Sequence, residues 1–302
     1  MRQRATLGVV AATVSVVAWG LGNNLAKYIR LPGNSLALNR LWLGSVWFAL
    51  LLMVRGGRLS WRSLRLAAPG GIAFALDVSF FFTSLKHTSV ADASIISALQ
   101  PALVLLVAGR LFGERVGSRD IVLIGVATAG VGGVVLGSSA AAGGTLYGNV
   151  LATGALLAWT WYFVASKQAR RKLATLDYQA SLTVVAAIFL TPIVLASGQP
   201  LAPPDLSTFG WIALLVLIPG GGHLLMNWAH ESTPIIMTST LTLGLPVVAT
   251  ALAVPIFGEP VTWFQSLSMA VVIGSLALLV GRQSGSEAEE LIPLPRPVDE
   301  PG

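Results

Sequence analysis

The chain has 302 residues, 11% of them charged and 54% hydrophobic, with a mean hydropathy of +0.76. A soluble domain carries roughly 25% charged residues, so this composition excludes a water-soluble globular protein and points to a bilayer. Cysteine is absent and the formal charge of +6 sits mostly in short gaps between apolar runs, which removes disulfides, thiolate chemistry and a nucleic-acid surface.

Apolar runs of about 20 residues cross a hydrocarbon core of roughly 30 Å as helices. Ten are predicted, at 7–29, 36–53, 69–85, 90–112, 121–137, 146–166, 178–196, 209–229, 235–257 and 263–280. The gaps are mostly short, so sequential helices are expected to run antiparallel. Of the 19 Lys and Arg, 14 fall on the side of residue 1 and three (Lys27, Arg30, Lys86) on the other, with Arg40 inside a span and Arg296 in the tail. That bias predicts cytoplasmic termini and an even number of spans.

In chain order, residues 1–20 have the outline of a signal peptide, Arg2 and Arg4 preceding an apolar core. They are read as a span, because Ala18-Trp19 recurs as Ala158-Trp159 and Lys27 matches Lys167, 140 positions on. Trp19, Asn23 and Lys27 share one helical face. Arg40, close to the outer face in span two, is expected to snorkel or to pair with Asp92. Asp77 lies near the middle of span three, where an ionisable group is costly and marks a functional position. Span four offers Ser97 one turn before Pro101. Gly130-Val-Gly132-Gly133 resembles a phosphate loop, but it lies inside span five with no strand before it, so close helix packing is expected.

Span six puts Trp159, Tyr162 and Ser166 on one face, well inside the membrane, where they suit a cavity wall as readily as an interfacial belt. Span eight holds Pro219-Gly220-Gly221-Gly222-His223, expected to interrupt the helix along a cavity or to permit close packing. His223, Asn227 and His230 follow on one face. Span nine offers Thr238 and Thr242 before Pro246. Residues 283–302, acids among prolines, are expected to form a disordered cytoplasmic tail.

One pattern occurs twice: Pro101, an apolar run and Phe112-Gly113-Glu114, then Pro246, an apolar run and Phe257-Gly258-Glu259, 145 positions on. The repeat divides the chain into halves, 1–139 and 140–282, of five spans each. Five is odd, so the halves are expected to be inverted, with a substrate site between them near the midplane. Under this offset Ser97 matches Thr242, and Asp77 matches Gly222, next to His223. Glu114 and Glu259 are expected to act at the turns into the following helices, favoured by the N-terminal dipole.

Two such halves, with Thr88-Ser89-Val90-Ala91 leading to Pro101 and Phe112-Gly113-Glu114-Arg115, resemble the EamA-type branch of the drug/metabolite transporter superfamily. Trp19-Gly20 and Arg40 fit the same pattern over residues 7–282. In the second half Pro260 follows Glu259 where a basic residue is common, and span seven carries Thr183 roughly where span two has Arg40. The resemblance implies an all-α membrane protein of ten transmembrane helices as two inverted five-helix repeats. It also implies a central cavity lined by spans 1, 3, 4, 6, 8 and 9, and alternating access.

No His-Glu-x-x-His, P-loop or activated-serine motif is present, so neither an enzyme nor a cofactor or metal site is expected. The expected function is secondary transport, by export, of a small organic metabolite. An amino acid or related amphipathic solute is the first reading and a cationic drug-like compound the second. A non-transporting membrane sensor or assembly subunit is the reading from a different class. The expected substrate residues are Trp19, Asn23, Asp77, Ser97, Trp159, Tyr162, His223, Asn227 and Thr242, with Asp77 and His223 as proton-coupling residues. The expected partners are the solute, the lipid of the cell membrane and protons.

Overall fold

The computed structural model describes residues 2–87, 93, 96–114, 116–136, 145–202, 205–257 and 261–290. Their regular structure is helical: α1 Arg2–Tyr28, α2 Gly33–Val54, α3 Trp61–Ser84, α4 Gln100–Phe112, α5 Ser118–Leu136, α6 Leu146–Arg170, α7 Thr175–Ser197, α8 Leu206–Ala229, α9 Ile235–Leu241, α10 Leu245–Phe257 and α11 Trp263–Glu290. A 3-10 turn, Thr242–Gly244, joins α9 to α10. Local sequence sets the ends. Ser60 and Ser63 form a reciprocal capping box before α3, and Asp205 accepts the Thr208 amide at 2.7 Å before α8. Gly113 and Gly198 end α4 and α7 at φ of 70° and 65°, in the left-handed region that favours glycine.

Helices long and apolar enough to cross a membrane correspond to seven of the ten expected spans, in α1, α2, α3, α7, α8, the α9–α10 stretch and α11. Helix α4 is apolar but shorter, and α6 falls outside the set because its Asn, Thr, Trp and Tyr residues lower its hydropathy. Outward-facing side chains are apolar: Trp42, Trp47, Trp61, Trp161 and Trp263 are exposed among many Leu, Ile and Val. Inside, Tyr162, Gln179 and Asn227 are wholly buried. An apolar exterior around a partly polar interior suits lipid, and the chain is an integral membrane protein.

The most extensive packing joins helices distant in sequence: α3 on α6, α1 on α8, α3 and α2 on α7, and α5 on α11. Hydrogen bonds show which ends meet. Ser232 donates to the Arg4 carbonyl (3.2 Å) and Arg282 pairs with Asp120 (3.3 Å), so the starts of α1 and α5 lie with the ends of α8 and α11. This is the basic end. At the other end Asn39 donates to the Leu201 carbonyl (3.0 Å).

Four details depart from the expected spans or resolve them. Span four, expected over 90–112, is helical at residues 93, 96 and 97, turns at Ala98 and Leu99, and resumes as α4 at Gln100. Pro101 explains this, since proline is tolerated in a first helical turn but disrupts an interior. The 3-10 turn before Pro246 does the same at the matching place. Secondly, Pro219 and its glycines lie inside an unbroken α8, where Pro219 and Gly222 pack closely against α1. A Cβ on Gly222 would lie 3.0 Å from Trp19 Nε1, and one on Gly22 would lie 2.8 Å from Pro219 Cβ. Thirdly, Gly130 packs α5 onto α11, where a Cβ would lie 2.8 Å from Val272 Cγ2. Lastly, α11 runs to Glu290, past the expected end at 280, because proline does not appear until Pro293. The rest of the expected tail lies outside the described residues.

Candidate functional site

Helices α1, α3, α6 and α8 converge on an aromatic box around His223. Trp19 donates from Nε1 to the Pro219 carbonyl at 3.1 Å, and its ring lies 4.7 Å from the imidazole. Phe74 of α3 is also 4.7 Å from it, edge-on. Trp159 stacks on Tyr162 at 5.3 Å and meets Trp19 edge-on at 5.1 Å. Such offset and edge geometries place the positive rim of one ring on the negative face of the next.

A hydrogen-bonded chain leaves this box. Tyr162 Oη lies 3.2 Å from His223 Nδ1 and donates to Asn227 Oδ1 at 3.3 Å. With the phenol proton on Asn227, His223 must carry its own proton on Nδ1. Asn227 Nδ2 then donates to Gln179 Oε1 at 2.7 Å, and Gln179 Nε2 is buried without a partner. Beside this chain, Ser166 and Tyr178 share a 2.7 Å bond.

Two opposite charges flank the box. Asp77 on α3 and Arg40 on α2 are both buried, close enough to interact electrostatically with each other and with Tyr162, but they form no direct ion pair. Among the described residues neither has another ion-pair partner. The Arg40 guanidinium instead lies 5.9 Å from the centroid of the Phe74 ring. Arg40 is therefore a buried neighbour of the site rather than a snorkelling outer-face residue; Asp92 lies outside the described residues.

The expected substrate residues thus divide. Trp19, Trp159, Tyr162, His223 and Asn227 form one contiguous cluster, with Asp77 beside it. Thr242 belongs to a second locus, donating to Gln100 Oε1 at 3.0 Å across the halves while Gln100 Nε2 has no partner among the described residues. Ser97 is half-buried and helical, just before the turn at Ala98 and Leu99, near that locus in sequence. Asn23 is half-buried and takes part in none of these bonds. Its neighbour Asn24 is buried and ties α1 to the Ala249 carbonyl of α10 at 3.2 Å. Phe74, Gln179 and Gln100 were not singled out from sequence; a buried amide in an apolar run was the available signal for both glutamines.

At the basic end Glu114 does serve a helix N-terminus, but that of α9 rather than the following α5. Its carboxylate accepts the amides of Ile235 (2.7 Å) and Ile236 (3.1 Å). Glu259 lies outside the described residues. His230, just past the end of α8, is pushed well below its usual pKa, first by burial and then by the Lys167 and Arg170 cations.

A model of the EamA-like transporter family matches residues 6–136 and again 146–281. The chain belongs to that family. It is 26% identical over 277 residues to an uncharacterized transporter of Archaeoglobus fulgidus, covering 90% of this chain and 96% of that one. Over 111 residues it is 28% identical to the pseudopaline exporter CntI of Pseudomonas aeruginosa, covering 36% of this chain and 39% of the exporter. One crystal structure superposes with a TM-score of 0.77 at 20% identity, over 94% of this chain and 99% of its own, a likeness of fold.

Proposed function

We propose that this EamA-family protein is a secondary transporter that exports a small zwitterionic or amphipathic organic solute by alternating access. An amino acid or close relative fits best. The observation that carries the reading is the unjoined pair of Asp77 and Arg40 beside a box of Trp19, Phe74, Trp159 and Tyr162. Buried opposite charges held short of contact can each take the complementary end of a zwitterion. The aromatic faces take the apolar remainder, and Asn227, Tyr162 and His223 supply directional hydrogen bonds.

Packing supports two inverted five-helix repeats of ten spans. Exchanging the halves turns α3 on α6 into α8 on α1, and α3 on α7 into α8 on α2, and both contacts are present. The family match falls in two matching stretches with the same division. The basic bias supports cytoplasmic termini. A relative named as an exporter of a metabolite supports the direction.

Purified protein in proteoliposomes tests the reading against a panel of amino acids, their derivatives and organic cations. Counterflow of a zwitterion is the expected result; folded protein that moves nothing on the panel overturns it. Proton coupling is tested in the same vesicles. Asp77→Asn is expected to abolish accumulation driven by an imposed pH gradient while keeping exchange. Wild-type accumulation by that variant removes Asp77 from coupling.

A further inference from the structure

One place at the basic end ties three helices together. Pro234, the residue before α9, provides no side-chain cap, so the first amides of α9 rely on Glu114, 121 residues away. Lys167 of α6 lies 3.4 Å from the same carboxylate and donates to the Thr233 carbonyl at 2.5 Å. The ends of α4 and α6 are joined again through Phe112, whose ring centroid is 5.6 Å from Lys167 Nζ and 5.2 Å from Arg171 Cζ.

Behind this clamp lie buried polar atoms with no hydrogen-bond partner among the described residues: both ring nitrogens of His230, Thr233 Oγ1 and Gln179 Nε2. Ser35 Oγ, Gln100 Nε2 and Ser181 Oγ are also unpaired among the described residues, but outside this group. His230 shares a face of α8 with His223 and Asn227, and its ring lies 5.0 Å from Phe163, which itself lies 4.8 Å from Trp159. Gln179 bonds Asn227 directly. The four atoms of His230, Thr233 and Gln179 therefore form a stripe from the central box to the clamp. Native interiors rarely bury such groups unpaired, and each needs an explanation.

We propose that this stripe is the solute's passage between the basic end and the central site, closed in this structure, and that Glu114 with Lys167 is its gate. The proposal rests on the transporter reading. When the clamp parts, water and then solute satisfy His230, Thr233 and Gln179, so opening relieves a desolvation penalty as it breaks the ion pair. The two terms oppose one another, as a gate that must work in both directions requires. The lining is neutral hydrogen-bonding side chains flanked by the Lys167–Glu114 and Arg170–Glu231 pairs, which offers a group of each sign to a zwitterion.

The chain's lack of cysteine makes the test direct. Single cysteines are placed at Thr233 on the stripe and at Val194, a wholly buried apolar control. Each is labelled with an impermeant thiol reagent from either side of membrane vesicles, with and without Glu114→Gln. Glu114→Gln is expected to raise labelling of the Thr233→Cys protein about fivefold or more from the basic side only, by shifting the population toward the open form. The Val194→Cys protein should stay unlabelled. Unchanged labelling at position 233, or an equal rise at 194, overturns the gate. If Glu114→Gln does not assemble, Lys167→Gln gives the same readout with the carboxylate cap on α9 intact. Because labelling needs no substrate, a gate that opens in a protein that moves nothing sinks only the transport reading. Flux with unchanged labelling sinks only the passage.

Discussion

The centre and the basic end of this bundle are built from similar polar groups, joined in opposite ways. At the basic end the charges are in contact: Arg170 reaches Glu231 at 2.6 Å, and Lys167 lies 3.4 Å from Glu114. In the centre Arg40 and Asp77 stop short of each other, and Tyr162 holds His223 and Asn227 at 3.2 and 3.3 Å. Charge-assisted contacts hold a geometry, whereas neutral bonds and an open charge pair leave partners to be exchanged for a ligand. The difference separates the part that locks from the part proposed to bind.

The largest effect is expected from breaking the central pair. Arg40→Gln leaves the Asp77 carboxylate buried without its nearby counter-charge, at a cost below the ~3–5 kcal/mol of breaking a buried pair in contact. Transport should vanish. Asp77→Asn strands the guanidinium in the same way. The double variant, neutral on both sides, should recover stability relative to the sum of the singles by about 1–3 kcal/mol, while gradient-driven accumulation stays lost. Thermal unfolding in detergent reads the coupling; strict additivity would mean that the two charges do not sense each other.

Next comes the tyrosine that links box and chain. Tyr162→Phe keeps the ring stacked on Trp159 but removes the hydroxyl between His223 and Asn227. Stranding those groups costs about 1–3 kcal/mol. Solute affinity should fall roughly tenfold, which corresponds to 1.4 kcal/mol. Quenching of tryptophan fluorescence can follow binding, since Trp19 and Trp159 line the box. Unchanged affinity would place the solute away from Tyr162.

Most of the box was legible in the sequence because helical period alone puts Tyr162 near Trp159 and Asn227 near His223. The duplication then set Asp77 against His223. What period cannot supply is which faces of distant helices meet. Phe74 enters the box only because α3 packs on α6, and Gln179 joins the chain because α7 lies beside α8. Arg40 was visible as the one cation inside a span, but its depth depends on α2 leaning on Phe74. The partner of Glu114 was hidden for the same reason. A carboxylate after a helix points locally to the next helix, and the amides it serves lie in the other half of the chain.

Arg170 belongs to both regions. Its Nε donates to the Asn227 carbonyl at 2.8 Å, and Nη2 pairs with Glu231. Arg170→Lys keeps the charge but cannot span both partners with a planar fork. Loss of one such bond costs about 1–2 kcal/mol. Unfolding temperature should fall while solute affinity moves less than about threefold, well below the effect of Tyr162→Phe. An affinity loss as large as that of Tyr162→Phe would show that the end and the centre are one unit.

The smallest effect separates two adjacent asparagines. Asn23 matches the helical repeat from Trp19, which makes it the expected site residue; Asn24 does not. One residue is a rotation of about 100° on a helix, and that rotation reverses their roles. Asn24 Nδ2 bonds the carbonyls of Gly20 and Ala249, each at 3.2 Å, and so fastens α1 to α10. Asn24→Ala should therefore cost about 1 kcal/mol of stability, the ordinary net worth of such bonds. Asn23→Ala, away from that contact and outside the cluster, should stay within about 0.5 kcal/mol of the parent. Its transport should change less than about twofold. A large transport defect in Asn23→Ala with normal unfolding would extend the binding region along α1 beyond the box, towards the end opposite the Glu114 clamp.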